Sequence, residues 1–218
     1  LATTPNDTAY ILFTSGSTGQ PKGVPVRHCS LTNFLASMAQ TSEITANDTL
    51  LAVTTLGFDI AALEIFLPLV TGAHLVVTPR EITLEGEQLA AQLTAHNISL
   101  MQATPATWRL LLNAGWEGCP QLKILCGGEA LDFALAQQLL NCGQSLWNLY
   151  GPTETTIWSG VLKIDEHILQ QGSIPIGPPI ANTQFYILDD QQRQVPMGVP
   201  GELCIGGAGL SEGYWKRP

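Results

Sequence analysis

Charged side chains are scarce in this sequence. Asp, Glu, Lys and Arg make up 12% of its 218 residues, against about 25% in an average soluble domain. That shortfall fits a piece of a larger protein whose surfaces are covered by neighbouring segments. Basic residues are the rarer sign, nine Lys and Arg against 18 Asp and Glu, for a net charge of −9. With no basic stripe to displace counterions from phosphates, the composition argues against a nucleic-acid partner. No apolar run is long enough to cross a bilayer, so no membrane partner is expected. The chain opens on Leu1 without an initiator methionine or a signal peptide, and is read as an internal piece of a cytoplasmic protein. No CxxC pair occurs among Cys29, Cys119, Cys126, Cys142 and Cys204, which favours neither zinc nor a disulfide framework; buried thiols are expected.

What the sequence has is hydrophobic substance, 45% of residues, and one informative loop. The apolar run Tyr10-Ile11-Leu12-Phe13 reads as a buried strand. It stops at Thr14, Ser15, Gly16, Ser17, Thr18 and Gly19, and Lys22 follows. Glycines let several backbone N–H groups turn toward one anion, hydroxyls add donors, and the lysine adds charge, so the composition suits a polyphosphate. A flexible Ser/Gly turn is the alternative. The loop is not a Walker A motif, because Pro21 precedes Lys22 and the run Lys22–Val26 alternates as a strand rather than opening a helix. A hairpin-like loop is expected.

Beyond it, strand and helix alternate. Helices are expected at 28–40 (capped by Ser30 or Thr32, with Leu31, Phe34, Leu35 and Met38 inward), 58–70 (opened by Asp59 as N-cap), 85–96, 105–113 and 132–140. Strands are expected at 49–54, 73–77, 98–102, 122–126 and 145–149. This alternation signals a doubly wound α/β sheet with ligands beyond the carboxyl ends of its strands, where Gly127-Gly128-Glu129 and Tyr150–Glu154 fall. From Gly172 onward prolines break the pattern, leaving strands at 184–188 and 201–205 with no helix between. The expected division is an α/β core over 1–171 and the start of a β-rich subdomain over 172–218.

Four stretches, YILFTSGSTGQPKGV, FDIAALEIFLPLVTGAHLVV, NLYGPTETTIW and GELCIGGAGLSEGYWKRP, resemble in order the core motifs of adenylate-forming enzymes. The resemblance is nearest to amino-acid adenylation domains of nonribosomal peptide synthetases, and it covers nearly the whole chain. It implies a layered αβαβα core. It also implies activation of a carboxylic acid with ATP and Mg²⁺ to an acyl adenylate, then transfer to a phosphopantetheine thiol on a partner carrier protein. A peptidyl carrier domain and a condensation domain are the implied partners. By the same likeness, Thr14, Ser15, Gly16, Ser17, Thr18, Gly19 and Lys22 hold the β- and γ-phosphates. Tyr150 lies against adenine, with Asn148 near its amino edge and Gly128 and Glu129 lining the base. Gly151 and Thr153 belong to the nucleotide site, Thr153 touching the α-phosphate, and Glu154 binds Mg²⁺. Thr153, Glu154 and Lys22 are the implied catalytic side chains. The residue types suit the reaction, because positioned donors and a metal stabilise charge spread over transferring phosphoryl oxygens.

In the same comparison Asp59 faces the substrate α-ammonium, which favours an amino acid over an aryl or fatty acid. Serving only as a helix cap is its competing role. The remaining pocket maps to Phe58, Ile60, Leu63, Gln102, Leu125, Gly127, Leu149, Ile157 and Trp158. None of these adds an acid or base, so charged substrate side chains are disfavoured. Leu63, Leu125 and Trp158 crowd the space where a side chain extends, which favours glycine, then alanine. Leu63 and Leu149 have a plain core role as the alternative. His28, His74, His96 and His167 are isolated and carry no expected chemistry. The family continues past Pro218 with a hinge and a small domain carrying a lysine, and has further chain before Leu1, so this piece alone is expected to be inactive. An acyl- or aryl-CoA ligase of the same superfamily and a non-catalytic nucleotide-binding or docking module are the alternative functions.

Overall fold

A computed structural model describes residues 2–15 and 20–217. The chain forms two compact units. One comprises Leu1–Phe34, Gly151–Ser159 and Pro179–Pro218, and the other Leu35–Tyr150 and Gly160–Pro178. This grouping runs differently from a single cut at 171/172, because the strands nearest the amino terminus group with the carboxyl-terminal segment.

The larger unit is built on a six-stranded sheet. Its strands are β3 (Thr49–Ala52), β4 (His74–Val77), β5 (Leu100–Ala103), β6 (Lys123–Gly127), β7 (Ser145–Tyr150) and β8 (Gly160–Ile164), in the order β4-β3-β5-β6-β7-β8. The first five run parallel, and β8 closes the sheet antiparallel to β7. The α/β class and parallel core match the expectation from alternation. The antiparallel last strand was not anticipated, because residues 151–171 contain no long periodic run.

Alternation along each strand sends successive side chains to opposite faces. Leu51, Met101, Ala103, Ile124, Cys126 and Leu146 enter one continuous core. It is completed by Leu89 and Leu93 of α4 (Gly86–Ala95), Trp108 and Leu111 of α5 (Pro105–Asn113), and Leu135, Ala136 and Leu139 of α6 (Phe133–Leu140). Each buried Leu, Ile or Met side chain among them contributes about 1.5–3 kcal/mol by leaving water. Against β3 and β4 packs α2 (Ile60–Thr71), whose Leu63 and Leu67 are fully buried. Short helices α3 (Arg80–Thr83) and α7 (Glu166–Gln170) are additions too brief to carry a periodic signal.

The caps follow local chemistry. Asp132 opens α6 by accepting the Leu135 N–H at 3.0 Å and pairs with Arg109. Pro105 occupies the first turn of α5, as expected. Two expected caps differ. Asp59 precedes α2 but already has helical backbone angles and makes no capping hydrogen bond. Helix α1 (His28–Ser42) begins before Ser30 and Thr32, and the Thr32 hydroxyl bonds back to the His28 carbonyl at 2.8 Å. The expected inward residues of α1, Leu31, Phe34, Leu35 and Met38, are all buried.

In the smaller unit, β1 (Thr8–Thr14) and β2 (Lys22–Arg27) form an antiparallel ribbon with Thr14 opposite Lys22, the hairpin expected there. A second ribbon pairs β9 (Thr183–Leu188) with β10 (Glu202–Gly207). No helix among the described residues is long and apolar enough to cross a membrane.

Where the parallel strands begin, the Lys123 ammonium donates to the Glu43 carbonyl at 2.7 Å and to Asp48 at 3.2 Å. Asp48 also accepts the Ser99 hydroxyl at 2.7 Å and the Thr45 N–H at 2.7 Å. Burial pushes the Asp48 carboxyl up, but the Ser99, Thr45 and Lys123 bonds outweigh it and hold the group below its ordinary value. A lowered carboxylate stabilises the fold above its unfolded pKa of about 3.9, and that contribution disappears as pH falls. Asp48→Asn is therefore expected to lower unfolding free energy by about 1–3 kcal/mol at pH 7. The gap from wild type narrows below about pH 4, and urea denaturation at pH 7 and pH 3 measures both.

Candidate active site

Parallel register assembles the first group of candidate residues. Gln102 on β5 pairs with Leu125 on β6, and Gly127 on β6 pairs with Leu149 on β7. By the two-residue period these four share one sheet face, the face opposite the Cys126 core. Leu125 and Leu149 are fully buried, as is Leu63 on α2. Ile60 meets the same face, since the Gln102 amide donates to its carbonyl at 2.9 Å. Asp59 is the residue just before α2, and Phe58, 65% exposed, precedes it.

On the opposite alternation, Asn148 and Tyr150 end β7. The Asn148 amide is buried and donates to the Pro175 carbonyl at 2.8 Å, so its nitrogen is committed to a loop of the same unit. Tyr150 is partly exposed at the strand end. Gly128 and Glu129 are exposed just beyond β6. Gly128 has φ +87°, left-handed backbone that suits glycine.

The smaller unit holds the rest. Thr14 and Lys22 face each other across the β1–β2 ribbon, the Thr14 hydroxyl 3.5 Å from the Lys22 carbonyl. Gly16, Ser17, Thr18 and Gly19 lie outside the described residues, and Ser15 is exposed. Thr153 and Glu154 sit in a single 3-10 turn, Thr153–Thr155. A methyl on Gly151 would lie 2.3 Å from the Ile157 carbonyl, so the chain closes here only with glycine. Thr156 and Ile157 then adopt φ +64° and +69°. Left-handed backbone at two consecutive β-branched residues is uncommon and costs roughly 1–3 kcal/mol at each. The turn is held by the Thr155 and Ser159 hydroxyls, 2.6 Å apart, and by the Thr156 hydroxyl donating to the Gly209 carbonyl at 2.7 Å. Ile157 and Trp158 are both buried.

Two residues without an expected role connect these side chains. The Tyr214 hydroxyl donates to the Glu154 carboxylate at 2.9 Å, and the Lys22 ammonium lies 4.8 Å from the Tyr214 ring centre. One aromatic residue thus contacts two of the three candidate catalytic side chains. The hydrogen bond to Glu154 raises the Tyr214 phenol above its ordinary value. Tyr214 lies within a quoted sequence motif, but nothing in its spacing announced this contact. The second residue is Glu64, fully buried on α2, where its carboxylate accepts from Val53, Thr54 and Gln102. Glu64 is not among the expected pocket residues; it is a buried acid bonded to one of them, Gln102. Its signal was a lone acid in the apolar run FDIAALEIFLPLV.

The arrangement is suited to polyphosphate chemistry. Glu154 offers hard oxygen, and Mg²⁺ usually takes one or two protein carboxylates with water and substrate phosphates completing its shell. No cluster of three or more His, Cys, Asp or Glu that could hold a metal occurs among the described residues. A single carboxylate is therefore the donor set to weigh, and it fits a nucleotide-borne Mg²⁺.

Known proteins resemble the chain along nearly its whole length. A dimodular nonribosomal peptide synthase of Bacillus subtilis (strain 168) is 50% identical over 210 residues, 96% of this chain and 9% of that protein. Among solved structures, a holo four-domain nonribosomal peptide synthetase bound to AMP and glycine superposes with TM-score 0.91 at 50% identity, covering 97% of this chain and 16% of that one. The Vibrio cholerae adenylation domain AlmE, in complex with glycyl-adenosine-5′-phosphate, gives TM-score 0.90 at 30% identity over 99% of this chain and 42% of its own. The chain thus spans a small part of the synthetases it matches. The AMP-binding enzyme family matches residues 2–215, a span that takes in both compact units, and the chain belongs to that family, with nonribosomal peptide synthetase adenylation domains as its relatives.

Proposed function

We propose that this chain is the central part of an adenylation domain that activates glycine, or next alanine, as its aminoacyl adenylate for a nonribosomal peptide synthetase. The observation that carries the substrate is the pairing of one acid, Asp59, with a buried apolar set, Leu63, Leu125 and Leu149. Similarity to structures holding glycine with AMP, and glycyl-adenosine phosphate, supports the same reading.

In this reading Asp59 pairs with the α-ammonium and orients the amino acid. Gln102 and the buried Leu63, Leu125 and Leu149 add neither charge nor open volume, which favours a side chain no larger than a methyl. Glycine and alanine differ by one carbon, and exclusion by filled volume discriminates more strongly than one lost methylene contact, about 1–3 kcal/mol. Asn148, Tyr150, Gly128 and Glu129 serve the base. Lys22, with residues 14–19, serves the β- and γ-phosphates, and Thr153 the α-phosphate. These residues act by position and charge: they hold the carboxylate oxygen in line with the α-phosphorus and stabilise the departing pyrophosphate. Glu154 would hold Mg²⁺, which supplies charge neutralisation on the phosphate oxygens when bound. Transfer to a phosphopantetheine thiol on a carrier domain, beside a condensation domain, completes the proposed assignment.

The full-length synthetase carrying this chain is expected to support ATP–pyrophosphate exchange best with glycine and next with alanine. A panel of amino and aryl acids tests this, and exchange driven only by an acid without an α-amino group would overturn it. Removing one partner of a buried ion pair costs about 3–5 kcal/mol, so Asp59→Ala should cut kcat/KM for glycine by roughly a hundredfold or more. Lys22→Ala should raise the KM for pyrophosphate while leaving that for glycine nearly unchanged, read from exchange kinetics in each substrate.

A further inference from the structure

Glu64 is the most completely buried charged residue of the larger unit, with no exposed surface. One carboxylate oxygen accepts two backbone N–H groups, Val53 and Thr54, both at 2.9 Å. The other accepts the Thr54 hydroxyl at 2.5 Å and the Gln102 amide at 3.2 Å. Burial pushes this carboxyl up, while the bonds from Thr54, Gln102 and Val53 pull the other way. Every neighbour named is a donor, so the carboxylate gathers three separate elements: the turn after β3, helix α2 and strand β5.

Those elements carry the proposed amino-acid pocket. Glu64 lies one residue after Leu63 and just over one turn after Ile60. The Gln102 amide nitrogen meets two acceptors, the Glu64 carboxylate and the Ile60 carbonyl. With acceptors on both sides, its nitrogen faces them and its orientation is settled by chemistry. A satisfied network of this kind rigidifies what it joins, whereas one missing member leaves buried donors unpaired.

We propose that Glu64 is a specificity-positioning residue: its buried carboxylate holds Gln102, the Ile60 turn and the 53–54 turn in one arrangement, and so sets the size of side chain that the amino-acid pocket accepts. It touches no substrate and acts through Gln102. The inference rests on reading Asp59, Ile60 and Gln102 as pocket residues.

The test uses the full-length synthetase, with glycine and L-alanine compared by ATP–pyrophosphate exchange and folding followed by thermal melting. Glu64→Gln keeps the side chain's size but turns an amide toward donors. It is expected to lower the glycine-to-alanine ratio of kcat/KM about tenfold and to raise the glycine KM, while the ATP KM moves less than about twofold. A purely structural role would lower activity with both amino acids together and leave their ratio in place. Gln102→Leu should shift the ratio in the same direction, and the double variant should be within about twofold of the worse single, because both act through one contact. A folded Glu64→Gln variant with an unchanged ratio overturns the proposal, as do two variants whose effects simply multiply. If Glu64→Gln does not fold, Thr54→Val decides: it removes one donor and keeps the carboxylate, with a ratio shift of about threefold expected and an unchanged ratio overturning the idea. A wild-type synthetase that exchanges with no amino acid defeats the pocket reading itself, an outcome told apart by its appearance before any substitution.

Discussion

Parallel pairing of β5, β6 and β7 is the constraint on which the rest depends. Backbone hydrogen bonding fixes the register, and the register sets Gln102 beside Leu125 and Gly127 beside Leu149. The two-residue period then divides the strands cleanly. Met101, Ala103, Ile124, Cys126 and Leu146 build a core with three helices, while the alternate positions carry the residues proposed for the amino-acid pocket. A slip of one residue would exchange the two sets, so one register fixes the core and the proposed pocket residues together.

Two buried carboxylates mark the two ends of this sheet. At the strand starts, Asp48 finds a cation, Lys123, along with hydroxyl and backbone donors, and its pKa falls. Near the strand ends, Glu64 is met by neutral donors, and burial prevails. The same side-chain chemistry thus serves as an anchor where a counter-charge is present and as a hub of directed hydrogen bonds where only dipoles surround it. Low local dielectric makes both arrangements sensitive to the loss of a single partner.

Much of this was legible in the sequence. The long alternation of apolar strand and periodic helix gave the α/β class, and each of the larger helices lies within a few residues of its expected place. The Thr14–Lys22 ribbon followed from a strand-like run after the glycine-rich loop. Short elements escaped: α3, α7 and the antiparallel β8 are too brief, or too mixed in pattern, for periodicity to register. Asp59 read as a cap because of its residue type, but the helical backbone at that position leaves no room for capping geometry. Long-range side-chain contacts were invisible for a different reason. Tyr214 and Glu154 are 60 residues apart, and Gln102 and Glu64 are 38 apart. No local rule links such pairs, because only the tertiary fold brings them within reach. The strain at Thr156 and Ile157 ran against residue preference altogether, and a sequence rule would have placed glycine or asparagine there.

The sheet's interior also bears on how the molecule responds to thiol reagents. Cys126 lies in the middle of the core, and burial pushes its pKa up to about 12. At neutral pH its thiolate fraction is on the order of one in a hundred thousand. Cys142 is raised by burial as well, whereas Cys29, Cys119 and Cys204 are only partly covered. Alkylating dyes and spin labels are therefore expected to leave Cys126 and Cys142 silent and to reach Cys29 and Cys204 first, since Cys119, though partly covered, packs against the core.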